Sequence, residues 1–143
     1  MRCLFDTDVL LDVVLAREPF VHASAHALLL AEQHAFEAVT TPLVLAHLFY
    51  LVGRARSRDA AFDAISAIRL ILDIVAISRT ETDAALARRA DYPDWEDQLQ
   101  YAAAEHHGCD LLVTRNVRDF PAAPVHAVTP QELIASALEP GGF

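Results

Sequence analysis

Leu4-Phe5-Asp6-Thr7-Asp8-Val9-Leu10-Leu11-Asp12 reads as the end of a buried strand running straight into a helix. The strand covers residues 2–5 and delivers the Asp6 carboxylate to its own C-terminal end. In open α/β sheets, ligands bind in the crevice outside the carboxyl ends of the strands. Asp6 is therefore placed where a metal or a phosphoryl group is handled, with Asp8 and Asp12 close behind it.

Outward from this segment, helical and strand-like stretches alternate. A helix is expected from about Val9 to Ala16, and another over 20–34. Residues 36–40 are β-like. Pro42 suits the first turn of a helix that runs to about Arg56, with Leu45, Leu48, Phe49 and Val52 on one face. Phe62, Ile65, Ile68 and Leu72 recur at helical spacing over 58–72. A short strand is expected at 74–77 and a helix at 80–89. After the loop Asp91-Tyr92-Pro93, a helix spans 95–107 and stops at Gly108. A buried strand at 110–114, a loop at 121–124, a strand at 125–128 and a helix opening at Thr129-Pro130 complete the pattern. Short apolar strands alternating with helices predict an α/β fold, a parallel sheet with helices on both faces. A single domain over 1–139 and a short frayed tail over 140–143 are expected.

Composition narrows the chemistry. The chain has 143 residues, is 54% hydrophobic and carries only four glycines, as a packed globule does. The formal net charge is −9, and all eleven basic residues are arginine. A generic nucleic-acid coat protein is basic, so any nucleic acid is handled locally or the partner is itself basic. The lack of lysine excludes Schiff bases, Walker A loops and lysine phosphate clamps. No apolar stretch approaches the ~20 residues of a membrane span, and no basic segment precedes a signal-like apolar one, so a cytoplasmic protein is expected. Cys3 and Cys109 fall in apolar strand-like segments and read as buried free thiols.

Acids gather at three places: Asp6 with Asp8 and Asp12; the stretch Asp91-Tyr92-Pro93-Asp94-Trp95-Glu96-Asp97; and Asn116 and Asp119 in Thr114-Arg115-Asn116-Val117-Arg118-Asp119-Phe120. If the first and fourth strands are neighbours, all three lie on one sheet edge. Carboxylates that converge there repel one another unless a cation sits among them, and hard oxygen donors suit Mg²⁺ or Mn²⁺. Each group also has a plainer reading. Acids favour the first turn of a helix, Asp94 is a good N-cap, and Asp6 and Asp119 suit turns. Arg115 and Arg118 flank the acid edge and can hold phosphates or simply be solvated. His22 and His26, at i and i+4, lack a third zinc ligand, and His106-His107 suits a helix C-terminus.

These residues give the chain a resemblance to PIN-domain proteins of the VapC toxin type over essentially its full length. The opening Leu-Phe-Asp-Thr-Asp-Val-Leu-Leu-Asp resembles the family's start, whose first aspartate maps to Asp6 as a metal ligand. The family commonly has Asn at the position of Asp8. Its third acid maps to Asp97 in Trp-Glu-Asp-Gln-Leu-Gln-Tyr-Ala-Ala-Ala. The stretch Leu-Leu-Val-Thr-Arg-Asn-Val-Arg-Asp-Phe is the most specific match and carries Asn116 and Asp119 as the fourth acidic or polar position. The family's second acid is a glutamate in a pattern like Thr-x-x-x-Leu-Ala-Glu-Leu. This chain reads Thr41-Pro42-Leu43-Val44-Leu45-Ala46-His47-Leu48, so His47 stands in its place. The resemblance implies a Rossmann-like sheet of about five strands. It also implies a divalent metal, endonucleolytic cleavage of RNA, and the role of toxin in a type II toxin–antitoxin module.

The expected metal set is Asp6, Asp97 and Asp119 with Glu96, and Asn116 joins the catalytic group. Asp94, His47 and Asp8 are further candidates, and Arg115 and Arg118 are expected to contact RNA. An antitoxin protein and a second copy of the chain are expected partners, with helices in 42–72 as a candidate contact face or as plain core. Two alternatives stay open. With His47 in place of an acid, the domain binds RNA or protein without cleaving. Asp6-Thr7-Asp8 also fits the opening of haloacid-dehalogenase-like phosphatases, with Asp6 as nucleophile, although that family needs a later lysine.

Overall fold

The computed structural model describes residues 1–139. The expected tail over 140–143 lies outside the described residues. Five parallel strands form one sheet in the order β3-β2-β1-β4-β5: β1 Arg2–Phe5, β2 Glu37–Thr40, β3 Asp73–Ile74, β4 Leu111–Val113 and β5 His126–Val128. Seven helices link them: α1 Thr7–Val14, α2 Val21–Glu32, α3 Pro42–Ala55, α4 Arg58–Ile71, α5 Arg79–Ala87, α6 Trp95–His106 and α7 Pro130–Leu138. Among the described residues, no helix is long and apolar enough to cross a membrane.

Both sheet faces are covered, as the continuous apolar strands require. Side chains of a strand alternate between faces. Cys3, Phe5 and Val113 pack on one side with Val9, Leu10, Leu28, Val44 and Leu48 of α1–α3. Leu4, Val39 and Leu112 pack on the other with Tyr101, Ala103 and Ala104 of α6. Both cysteines are buried and free.

Caps set where the helices begin. Asp6 caps α1 by accepting from Thr7 N at 2.8 Å, which starts the helix two residues before Val9. Thr41 caps α3 ahead of Pro42, Ser57 caps α4, and Asp94 caps α6 through Asp97 N. Gly108, at φ 66°, takes the left-handed conformation that stops α6. The edge strand β3 is two residues rather than the four expected at 74–77. Val75 N still reaches Thr40 O, but Val75 and Ile77 then turn onto the α6 side of the core.

The start of α5 is fixed by a buried carboxylate. Glu81 is 2% exposed and accepts from both Ser78 N and Ser78 Oγ at 2.6 Å. Burial pushes its carboxyl up, but the Ser78 hydrogen bonds outweigh burial and bring it down to about 2. A carboxyl whose folded value lies below its unfolded one stabilises above the unfolded value and loses that contribution as pH falls through the folded one. Glu81→Ala should therefore cost roughly 1–2 kcal/mol at pH 7. The gap between variant and wild type should shrink between about pH 4.5 and 2. Urea denaturation at pH 7 and pH 3 measures it, and an equal gap at both would contradict this role.

Candidate active site

The strand order reverses at β1. The chain moves from β1 outward to β2 and β3, then crosses back to place β4 on the other side of β1. Such a switch point opens a crevice at the strand C-termini. The residues just past β1 and β4 are Asp6 and Thr114, and Asp6 N bonds to Val113 O at 3.0 Å.

Asp6 is 7% exposed. Besides Thr7 N, it has Thr114 Oγ1 3.0 Å from its Oδ2. The same hydroxyl lies 3.4 Å from Asp8 Oδ2, so one proton serves two carboxylates. Asp8 Oδ2 also accepts from Arg115 N at 2.9 Å and from Asn116 Nδ2 at 3.2 Å. These bonds tie the start of α1 to the turn after β4. Asp8 Oδ1 is buried without a hydrogen-bond partner.

From the other side, α6 brings its first turn to the same place. Asp6, Asp8, Asp94, Glu96, Asp97 and Asn116 line one cleft of about 180 Å³, together with His47 and Gln100. A larger cavity of about 410 Å³ lies at the opposite end of the sheet, against Met1, Glu37 and Asp73 where strands begin, and has no comparable carboxylate cluster.

The crowding shows in the acidities. Burial, then the charge of Asp8, pushes Asp6 up to about 6. Burial likewise raises Asp8. Asp97 is pushed up to about 7 by burial, then by Asp6, Asp94, Asp119 and Asp8. The donors are oxygens, one buried oxygen is orphaned, and the carboxylates resist ionising side by side. That combination fits a hard divalent cation. Among the described residues, no three acidic, histidine or cysteine side chains are already drawn into a closed metal cage.

The sequence expectations divide here. Asp6, Asp97, Glu96, Asn116, Asp94, His47 and Asp8 share the cleft. Asp119 does not line it. It ends a 3₁₀ turn over Val117–Asp119 and faces an adjoining hollow of about 260 Å³ with Tyr92 and Arg118. Arg115 is turned away: its Nε lies 2.9 Å from Asp12 Oδ2, and its guanidinium stacks 4.0 Å from the Phe20 ring centroid. His47 pairs with Glu96 at 2.8 Å. Three residues of the site were not singled out from sequence. Thr114 follows a strand end as Asp6 does, a position that carried a signal; Gln100, one helical turn past Asp97, looks like an ordinary helix residue. Arg17 lines the cleft from the chain after α1, with no local pattern to mark it.

The PIN-domain family model matches residues 2–118. The chain belongs to the PIN-domain family. Ribonuclease VapC1 of Aquifex aeolicus (strain VF5) is 24% identical over 134 residues, 92% of each protein. A toxin–antitoxin complex from Klebsiella pneumoniae contains a chain 24% identical, with a TM-score of 0.67 over 90% of this PIN domain and 97% of that chain. DNA-bound VapBC from Salmonella typhimurium reaches a TM-score of 0.71 at 14% identity, over 91% and 98%. The fold of this PIN domain is therefore that of VapC-type chains. The phosphatase alternative falls with this assignment, and Asp6, whose carboxylate accepts from Thr7 N and Thr114 Oγ1, is held as a fixed carboxylate rather than an exposed nucleophile.

The raised acidities carry a signed consequence. A carboxyl whose folded value lies above its unfolded one costs nothing below the unfolded value, and its penalty grows as pH rises to the folded one. The metal-free PIN domain should thus lose stability between about pH 4 and 7, on the order of 2–3 kcal/mol from Asp6. Thermal melts in chelator should show a lower Tm at pH 7.5 than at pH 5, and Mn²⁺ should raise it more at pH 7.5. A Tm that rises with pH in chelator would contradict the cluster's repulsion.

Proposed function

We propose that this PIN domain is a metal-dependent endoribonuclease and the toxin of a type II toxin–antitoxin pair. The observation that carries this reading is the meeting of Asp6, Asp8 and Asp97 in one cleft at the switch point of the sheet. Asp6, Asp97 and Glu96 are the residues to hold Mg²⁺ or Mn²⁺, with Asp119 joining from the adjoining hollow. When bound, the cation supplies Lewis acidity and positive charge for displacement at phosphorus.

The chain's own groups do the rest. Asp97 is raised only while the acids face one another without a cation; holding one, it acts as a ligand, and the proton of the attacking water passes to solvent as the new O–P bond forms and the bond to the leaving oxygen breaks. Thr114 and Asn116 hold Asp6 and Asp8 in place. Arg17 in the cleft and Arg118 in the adjoining hollow are positioned to take RNA phosphates. Arg115 instead supports the loop. The printed name of the Aquifex relative, a ribonuclease, supports the substrate class. The Klebsiella complex supports an antitoxin partner. The net charge of −9 suits a basic antitoxin segment, and exposed Tyr50 and Phe62 on the α3–α4 hairpin offer apolar surface for it or for a second copy. A cytoplasmic location is part of this reading.

The test is incubation of the purified chain with RNA in Mg²⁺, in Mn²⁺ and in chelator. Fragments with metal alone support the proposal. RNA binding without cleavage under any metal would favour the non-cleaving alternative, which the replacement of the second acid by His47 makes concrete.

A further inference from the structure

His47 is on α3 and Glu96 is at the start of α6, forty-nine positions apart in sequence. Their side chains meet at 2.8 Å, His47 Nε2 to Glu96 Oε2, inside the cleft that holds Asp6 and Asp97. The two helices are fastened to each other nearby. Thr41 Oγ1, at the cap of α3, donates to Gln100 Oε1 at 2.8 Å, and both residues are buried. Gln100 lies one helical turn beyond Glu96, so the His47–Glu96 contact is made one turn from a buried hydrogen bond that already joins the start of α3 to α6. The contact also decides how the imidazole is used. The contact is a close approach rather than an aligned hydrogen bond, and it turns Nε2 onto a carboxylate oxygen instead of leaving it open to a cation. Glu96 spends one oxygen on His47 and keeps the other.

We propose that His47 and Glu96 act as one unit in place of the family's second acid: Glu96 supplies an oxygen to the divalent cation, and His47 is the positioning residue that holds Glu96 toward it. The lost carboxylate on α3 is thus replaced from α6, and the α3 position keeps a role by orienting its replacement. Groups that orient metal-binding carboxylates by hydrogen bonds commonly contribute 10–100-fold to metal affinity. The inference rests on the metal-dependent reading above, and its test separates the two.

Mn²⁺ is titrated calorimetrically into the intact protein without RNA, with circular dichroism confirming that each variant is folded. Glu96→Gln and His47→Ala should each weaken Mn²⁺ binding about 10–100-fold. His47→Gln, whose polar amide can still reach Glu96, should recover most of the loss. The double variant H47A/E96Q should bind no more weakly than E96Q alone, because His47 acts only through Glu96. If H47A weakens binding as much in the E96Q background as in the wild type, His47 contacts the cation independently and the proposal is overturned. If both single variants bind like wild type while Asp6→Asn does not, the pair is overturned and the metal-dependent reading stands. If the wild type binds no Mn²⁺, both fall. Should H47A not fold, H47Q decides: near-wild-type affinity beside a weakened E96Q supports the pair, and affinity as poor as E96Q overturns it.

Discussion

Asp6→Asn should remove metal-dependent RNA cleavage, by roughly 10²–10³-fold in kcat, while leaving a folded and, without metal, more stable protein. That loss is the scale seen when one preorganised electrostatic group is taken from an active site. The two halves of the expectation have one cause. Asp6 is 7% exposed and faces Asp8, so its charge is unfavourable until a cation offsets it. Asn keeps an oxygen to accept from Thr7 N, so the α1 cap survives, whereas Ala would forfeit about 1 kcal/mol of capping. The variant should also flatten the fall in Tm between pH 5 and 7.5 in chelator. Cleavage at the wild-type rate by D6N would place the activity in a contaminant or at another site. A lower Tm at pH 7.5 without metal would mean that Asp6 is a structural cap and not a strained ligand.

What could be read from sequence follows what is local. Apolar strands β1 and β4 each end in a polar residue at the switch point, so Asp6 and the Thr114–Asn116 turn are legible from hydropathy alone. Asp94 and Asp97 are legible from capping, since a carboxylate at the N-cap and another in the first turn have few other places to go. The α3 start is announced by Thr41-Pro42. Residues whose role depends on distant partners are not legible in this way. Gln100 looks like an ordinary helix residue, and only its bond to Thr41, fifty-nine positions earlier, explains its burial. The His47–Glu96 contact is similar, because nothing near either residue reveals the other. Asp119 is displaced from the cleft by the 3₁₀ turn over Val117–Asp119, whose geometry does not show in the acid pattern. β3 is short because an edge strand has one partner, and Val75 and Ile77 gain more by packing beneath α6. Arg115 shows the limit most plainly. Its position beside the acids marks it for phosphate, yet its side chain leaves the cleft for a buried aspartate.

Arg115→Ala should destabilise the protein by about 3 kcal/mol, which for a chain of this size lowers Tm by roughly 6–12 °C. Asp12 is fully buried. Its Oδ2 has Arg115 Nε at 2.9 Å, an ion pair whose N–H is not aligned as a hydrogen bond, and Ser24 Oγ at 3.1 Å. Its Oδ1 has no partner. Removing the arginine therefore leaves a buried charge with one neutral donor, the arrangement that costs most when an ion pair is broken from one side. The figure is taken at the low end because the Arg115 side chain is 27% exposed and partly screened. Loss of the stacking on Phe20 adds to it. The double variant D12L/R115M should recover most of the loss, since an apolar pair of similar volume needs no desolvation of charge. The kinetics carry a second expectation. Arg115 braces the α1–α2 connection and donates its backbone N–H to Asp8, but its guanidinium is not in the cleft, so R115A assayed well below its Tm should keep RNA cleavage within the roughly 10-fold that a supporting group commands. A loss far beyond that, in a folded variant whose Tm has barely moved, would return Arg115 to the phosphate and leave Asp12 held by Ser24 alone.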